Sequence, residues 1–302
     1  MTLVVLALDA LDAGLVEYFQ LDSLRLDTSG ELETFSHSMD YPYTPEVWAT
    51  IATGLSPDEH GVTKSGTSDW NRPLLNLASK FTGGLPLSVR TRLGEVATTL
   101  TGAEYAVGET TAESFLKGDG RVVHNWPGVH NGDELATVWR LMSQEEDMTA
   151  GEFNRAVFAI GAEQFAWVEE TLRHESSLIA THIHTLDAFG HAYASNEVQL
   201  RRAYEWVANW VNRIRESMDE DDELIILSDH GIVVSFYSDN GDGDFPIAQH
   251  SWRAFISSTL GSVPDDVYDV YRWVETNVPE YDPDSEQLNL PEDQLRQLGY
   301  IE

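Results

Sequence analysis

Short apolar runs that end in acids or histidines constrain this chain more than any other feature. Segments 3–8, 105–107, 178–183 and 224–227 are continuously apolar or nearly so. Runs of this kind suit strands buried on both faces of a parallel sheet. Amphipathic stretches lie between them. In 196–218, Tyr204, Val207, Val211, Ile214 and Met218 recur at gaps of three and four, which marks one face of a helix. Ser195 or Asn196 can cap its start. Segments 134–142 and 152–172 also read as helices. Strands alternating with helices predict an α/β fold: a mostly parallel central sheet sandwiched by helices.

The remaining segments are less periodic. Gly, Ser, Thr, Asn and Pro cluster in 63–101, which reads as a loop-rich excursion with one short helix near 87–100. Segment 278–290 is acidic and broken by Pro279 and Pro283, so an extended path is expected. A short closing helix is expected over 291–298, with Pro291 at its start. Neither a repeat nor a flexible linker interrupts the chain. One domain over 1–302 is therefore expected, with a substrate-side excursion around 63–130.

Composition narrows the function. With 42% hydrophobic and 10% aromatic residues among 302, the chain can bury a sizeable core, which excludes global disorder. No run approaches the ~18 apolar residues of a membrane span. The net charge of −33, from 51 acids against 18 bases, argues against nucleic acid held on a basic surface. A small anionic substrate requires something strongly positive in its pocket. There are no cysteines, hence no disulfide, thiolate site or Cys nucleophile. Only Lys64, Lys80 and Lys117 are lysines, and the acids are dispersed along the chain. That pattern fits a halophilic protein, because at ~1 M salt the Debye length is about 3 Å and self-repulsion is screened. The first residues lack a positive region, and Asp9 interrupts the apolar run, so they read as a strand rather than a signal peptide. A cytoplasmic location is expected.

Chemistry-bearing residues collect just past the apolar runs, where ligands bind in open α/β sheets. Asp9 follows the first run. Asp187 and His191 follow 178–183, Asp229 and His230 follow 224–227, and His250 precedes a further apolar run. Singly, each is a common turn former or core residue. Together, three carboxylates and three imidazoles form a donor set suited to Zn²⁺ or Mn²⁺. Thr44 stands at a predicted helix start, with Pro45 in the first helical position and Gly54 at the end. A hydroxyl there meets the positive end of the helix dipole, which favours an alkoxide and an incoming phosphate. A simple N-cap is the other role open to Thr44.

These blocks resemble the alkaline phosphatase superfamily. Asp9, Thr44, Thr53-Gly54, Pro57-x-x-His60-Gly61, Asp187-x-x-x-His191, Asp229-His230-Gly231 and His250 occur in the family's order. The branch they most resemble is the type I phosphodiesterase/nucleotide pyrophosphatase group, in a haloarchaeal-type member. The likeness covers 1–61 and 178–255 well and 63–175 loosely. It implies two divalent cations, Zn²⁺ or Mn²⁺. Asp187, His191 and His250 would hold one, and Asp9, Asp229 and His230 the other, completed by Thr44. The implied reaction is hydrolysis of phosphodiester bonds in small phosphorylated molecules through a phospho-Thr44 intermediate. Such a pair of ions, about 3.5–4 Å apart, stabilises both the attacking and the leaving oxygen.

One departure bears on substrate. The branch places an Asn 21 positions after the nucleophile, and here that position is Ser65, preceded by Lys64. Lys64 would suit a more highly charged monoester, and Asn125 is a candidate replacement donor. Phosphomonoesterase or phosphonate-ester hydrolase activity, or a catalytically silent metal-binding or phosphate-ligand-binding member, are therefore alternatives. Sulfatases need a Cys or Ser at the Thr44 position. Cofactor-independent phosphoglycerate mutases carry an inserted domain too large for this chain.

Overall fold

In the computed structural model, residues 1–64, 108–143 and 148–281 are described, together with Arg296. The helices expected near 87–100 and over 291–298 (Arg296 apart), the run 105–107 and most of the segment 278–290 lie outside these residues. In chain order, the elements are β1 (Leu3–Leu8), α1 (Ala13–Tyr18), β2 (Thr28–Leu32), α2 (Thr44–Thr53), α3 (Pro57–His60) and β3 (Arg121–His124). Then come α4 (Asp133–Ser143), α5 (Ala150–Thr171), β4 (Leu178–Ile183), α6 (Thr185–Tyr193), α7 (Glu197–Ser217) and β5 (Glu223–Leu227). Finally there are β6 (Gly231–Ile232), β7 (His250–Ser251), β8 (Ala254–Ser258) and α8 (Val267–Asn277).

The six-stranded sheet runs β2-β8-β5-β1-β4-β3. β1 pairs in parallel with β4 and β5, and β4 with β3, whereas β8 is antiparallel to both β5 and β2. β1 is buried throughout, and its alternating side chains divide between two cores. Val4, Leu6 and Leu8 join the core formed with α1, α5, α6 and α7, while Leu3, Val5 and Ala7 join that formed with α2 and α8. This is why an unbroken apolar run is required here: both faces of the strand are covered. The result is a sheet between two helical layers, as the alternation of runs and amphipathic stretches predicts.

The long helices follow their caps. α7 is capped by Asn196, whose side chain accepts from the Gln199 amide at 3.3 Å. Leu200, Tyr204, Val207, Val211 and Ile214 form its buried face. Thr149 and Glu152 cap α5 reciprocally, satisfying two otherwise orphaned amides. No helix among the described residues is long and apolar enough to cross a membrane.

Candidate metal centre and nucleophile

Strand register builds the site. Leu8 lies opposite Ile183, and Ala7 opposite Leu227. The residues that follow therefore meet at the carboxyl edge of the sheet: Asp9 after β1, His184 after β4, and Asp229 with His230 after β5. All four are buried. α6 adds Asp187 and His191, one turn apart, and the β6–β7 hairpin returns His250 to the same edge. Gly231 is required at the hairpin's base, since a Cβ there would fall 2.2 Å from Asp12 Oδ2.

Three groups of donor atoms result, each within 4.8 Å: Asp187, His191 and His250; Asp9, Asp229 and His230; and Asp9, His182 and His184. The first two are those the sequence points to. In the first, His191 Nε2 lies 3.3 Å and His250 Nε2 3.5 Å from Asp187 Oδ1. In the second, His230 Nε2 lies 3.3 Å from both Asp9 Oδ1 and Asp229 Oδ2. All three of these carboxylate oxygens are buried without a hydrogen-bond partner. Leaving a buried acceptor unpartnered costs about 1–3 kcal/mol, more for a charged one. Divalent cations fit this donor set of hard oxygens and borderline nitrogens. The imidazoles are oriented for such a ligand. His250 Nδ1 donates to Pro42 O at 2.7 Å and His230 Nδ1 to Gly231 O at 2.9 Å, which leaves each Nε2 lone pair directed into its group.

Electrostatics point the same way. Burial, with the neighbouring His230, pushes His250 down to about 3. Burial also lowers His230, and the two rings stack with centroids 3.7 Å apart. Both are thus neutral, the form that ligates. Burial and the charges of Asp9 and Asp187 hold the Asp229 carboxyl well above its ordinary range. Burial opposes ionisation of Asp9 and Asp187 too, but His184 beside Asp9, and His191 and His184 beside Asp187, keep both below the ordinary range. His184 itself is pushed up to about 10, because the two carboxylates outweigh its burial. Imidazoles are the only cations in these groups, so they are short of positive charge.

Thr44 is the first residue of α2. Tyr43 caps the helix through its carbonyl, which accepts from Glu46 N at 2.9 Å and Val47 N at 3.2 Å. Pro45 is accordingly the second helical residue rather than the expected first. Thr44 is free of capping duty, and its Oγ1 lies 3.1 Å from His230 Nε2. Gly54 ends the helix at φ 69°, the left-handed cap that favours glycine. Buried Glu46 accepts from the Ser38 hydroxyl and from Lys64 N at 3.2 Å, fixing the backbone of Lys64 near the nucleophile. Thr44, Lys64, Asp187, His191 and His250 line a cavity of about 490 Å³ together with Tyr41, Tyr43 and Trp139.

The structure thus brings together Asp9, Thr44, Asp187, His191, Asp229, His230 and His250, with Lys64 at the cavity wall. Ser65 lies outside the described residues. Asn125 is buried beside His182. Its amide nitrogen faces His182 Nδ1 at 3.4 Å and His182 O at 3.3 Å, and its Oδ1 accepts from Gly132 N at 3.0 Å. It braces His182.

His182 and His184 are the residues that sequence reasoning missed. His182 Nε2 lies 3.0 Å from Asp9 Oδ2, and His184 bridges Asp9 Oδ2 and Asp187 Oδ2, the latter at 3.0 Å. These contacts orient the two carboxylates. The available signal was a His-x-His pair closing the run 178–183. Backbone strain collects here as well. Ala10, Asn125 and Ala248 are three of the four non-glycine residues with positive φ among the described residues. Ala10 follows Asp9, Asn125 braces His182, and Ala248 lies two residues before His250. Strain persists where surrounding structure over-determines it, which favours functional sites.

The profile of a family described as Type I phosphodiesterase / nucleotide pyrophosphatase matches residues 3–258. Among curated protein sequences, none matches the chain. Similar solved structures include an alkaline phosphatase from the Antarctic bacterium TAB5, 14% identical at a TM-score of 0.44, over 93% of this chain and 98% of that one. A TAB5 alkaline phosphatase mutant with Mg bound in its M3 site is 12% identical at 0.46, with the same coverage. A mutant of the alkaline phosphatase PafA is 13% identical at 0.38, over 76% of this chain and 63% of that one.

Proposed function

The chain belongs to the type I phosphodiesterase / nucleotide pyrophosphatase family, a family of metal-dependent phosphoesterases, and from that membership we propose that it hydrolyses phosphodiester bonds of small molecules with Thr44 as nucleophile. The observation that carries this reading is the pairing of two separate donor groups with a hydroxyl that does no capping. Asp187, His191 and His250 would hold one divalent cation, and Asp9, Asp229 and His230, with Thr44 Oγ, a second. Zn²⁺ and Mn²⁺ both suit these donors. When bound, the cations would favour the Thr44 alkoxide and neutralise charge developing on the phosphoryl oxygens.

The residues' own work follows from their placement. Thr44 Oγ loses its proton to solvent and attacks phosphorus. The Oγ–P bond forms, the P–O bond to the leaving group breaks, and the departing oxygen takes up a proton from water. A second in-line attack by water releases phosphate, or a phosphate monoester, and restores the hydroxyl. His182 and His184 keep the Asp9 and Asp187 carboxylates turned inward. Lys64, at the cavity wall, favours a dianionic phosphomonoester as the alternative substrate, because an ammonium acts as a compact point charge. The lysine-poor, acid-rich composition supports a working environment of molar salt inside a cell.

A panel of nitrophenyl esters (phosphate, phenylphosphonate, thymidine phosphate, bis-phosphate and sulfate), assayed in molar KCl with defined metals, tests the reading. Thymidine phosphate and bis-phosphate should be cleaved fastest, and a rapidly quenched reaction should show phosphate on Thr44. Unchanged turnover in Thr44→Ala would overturn the covalent route.

A further inference from the structure

The segment from His60 to Lys64 is anchored at both ends to the helix that presents Thr44. His60 is buried at the end of α3, and its Nδ1 accepts from Val62 N at 3.1 Å. The ring proton of the neutral imidazole is then on Nε2, which lies 3.1 Å from Thr50 Oγ1 on α2. Lys64 is held at the other end. Its amide donates to Glu46 Oε1 and to Ser38 Oγ, both at 3.2 Å. Glu46 stands two residues after Thr44 in the first turn of α2 and is fully buried. Its carboxylate also accepts from the Ser38 hydroxyl, and from Ser38 N at 3.3 Å. One buried carboxylate thus ties α2 to two segments that line the cavity beside Thr44. The segment after Ser38 contributes Met39, Tyr41 and Tyr43, and the other contributes Lys64.

Burying a carboxylate is costly, but bonds to an ionised acceptor are roughly twice as strong as neutral ones. What this acid fixes is the backbone of Lys64. An ammonium sits on a flexible four-carbon stem, so its effect on a bound anion depends on where its Cα is held. We infer that Glu46 is a positioning residue for Lys64: by holding the Lys64 amide, it places the ammonium against the phosphoryl group at Thr44 and so strengthens the preference for a dianionic phosphoryl group over a monoanionic one. The inference rests on the phosphoesterase reading for the position of the phosphoryl group. Glu46's own charge works in the opposite direction. A carboxylate this close to Thr44 repels a dianion more than a monoanion. Removing it would raise the preference if Glu46 acted by charge, and lowers it if Glu46 acts through Lys64.

The test is binding of phenylphosphonic acid and methyl(phenyl)phosphinic acid to the metal-loaded protein, by calorimetry in molar KCl at a pH where both are fully ionised. The two differ by one charged oxygen against one methyl, and neither is hydrolysed. The readout is the ratio of their affinities, relative to wild type. Lys64→Met should lower the ratio about tenfold or more, the worth of one hydrogen bond to a charged group. Glu46→Ala should lower it by a similar factor. Glu46→Ala with Lys64→Met should lower it no further than Lys64→Met does, because the two residues act as one unit. Glu46→Gln keeps the volume and one acceptor oxygen, so it should lower the ratio by less. Circular dichroism checks folding, and Glu46→Gln with and without Lys64→Met carries the same comparison where Glu46→Ala does not fold. A ratio that rises or stays constant in the Glu46 variants overturns the inference. So does a loss that adds to that of Lys64→Met, or one that falls equally on both anions. Hydrolysis of nitrophenyl phosphate and bis-nitrophenyl phosphate is followed alongside. If neither is hydrolysed while the ratio falls as expected, the phosphoesterase reading fails and the positioning role stands. If they are hydrolysed and the ratio ignores Glu46, the inference fails and the phosphoesterase reading stands.

Discussion

Asp9 and Asp12 are three residues apart in the turn after β1, both are fully buried, and each is the centre of a cluster of carboxylates. Asp12 is gathered with Asp239 and Asp242 around Arg253. The guanidinium lies 2.9 Å from both Asp12 oxygens and 2.8 Å from Asp239 Oδ1, and it also reaches Asp242. Asp12 further accepts from Leu15 N and Ile232 N at 3.0 Å and from Ser251 Oγ at 3.2 Å. No buried oxygen of this cluster lacks a partner. Asp9, Asp187 and Asp229 have only imidazoles as cationic neighbours, and each keeps one buried oxygen without a partner. The first cluster contains its own cation and fastens the β6–β7 hairpin to the β1 turn. The second has only imidazoles to set against three carboxylates, which suits the cation sites proposed for it. A group of buried acids is read as structural or functional by asking whether the fold already neutralises it.

The sharpest separation of the two clusters should be in turnover. Thr44→Ala and Asp187→Asn should each lower kcat by about 10³-fold or more while leaving a folded protein, because one removes the proposed attacking atom and the other a proposed ligand. Steady-state assays with circular dichroism check both halves. Arg253→Met should do the reverse. Removing one partner of a buried ion pair costs about 3–5 kcal/mol, on the order of 10 °C in melting temperature, and any activity loss should follow unfolding. Activity lost without a change in melting temperature would place Arg253 in the chemistry instead.

Smaller effects depend on pH. Burial and the charges of Asp9 and Asp187 raise Asp229 in the fold. A raised pKa contributes stability that is fully present below the unfolded value and is lost as pH rises through the folded value. Metal-free protein should therefore lose up to about 1.4 kcal/mol per pH unit between the unfolded and the folded value, and nothing further above the folded one. Asp229→Asn, which keeps the neutral form, should be insensitive over the same range. Asp9 and Asp187, held low, work in the opposite sense, and their contribution disappears only in strong acid. Cation binding must also expel the protons of Asp229 and His191, since His191 is raised by Asp187. Metal affinity should thus rise with pH, with proton release visible when metal is titrated into weakly buffered protein. The smallest expected difference is in salt. The melting temperature should climb with KCl as the dispersed acids are screened, whereas the increment lost in Arg253→Met should hardly depend on salt, because the pair is buried.

The two clusters also differ in how far they could be read from sequence. Asp9, Asp187, His191, Asp229 and His230 were legible because they follow apolar runs whose strand register then aligns them, and His250 because it precedes one. Thr44 was legible through Pro45 and Gly54. Arg253 was not, since nothing local marks a lone arginine whose acids come from two distant loops. His182 and His184 were hidden by the apolar company of β4. β2 escaped notice because its burial is partial: the sequence Thr-Ser-Gly-Glu-Leu lacks the apolar alternation that marks a half-buried strand. β8 continues the sheet in an antiparallel direction that hydrophobic periodicity does not encode.

The central claim is that the Asp9 and Asp187 groups each await a cation while the Asp12 group does not. Metal content at equilibrium, by elemental analysis of protein dialysed against buffered Zn²⁺ or Mn²⁺ in molar KCl, tests it most directly. The account predicts two divalent ions per chain in the wild type. It predicts one after Asp187→Asn with His191→Ala, one after Asp229→Asn with His230→Ala, and two after Asp239→Asn. No bound metal in the wild type, or a stoichiometry that survives both double variants, would contradict it.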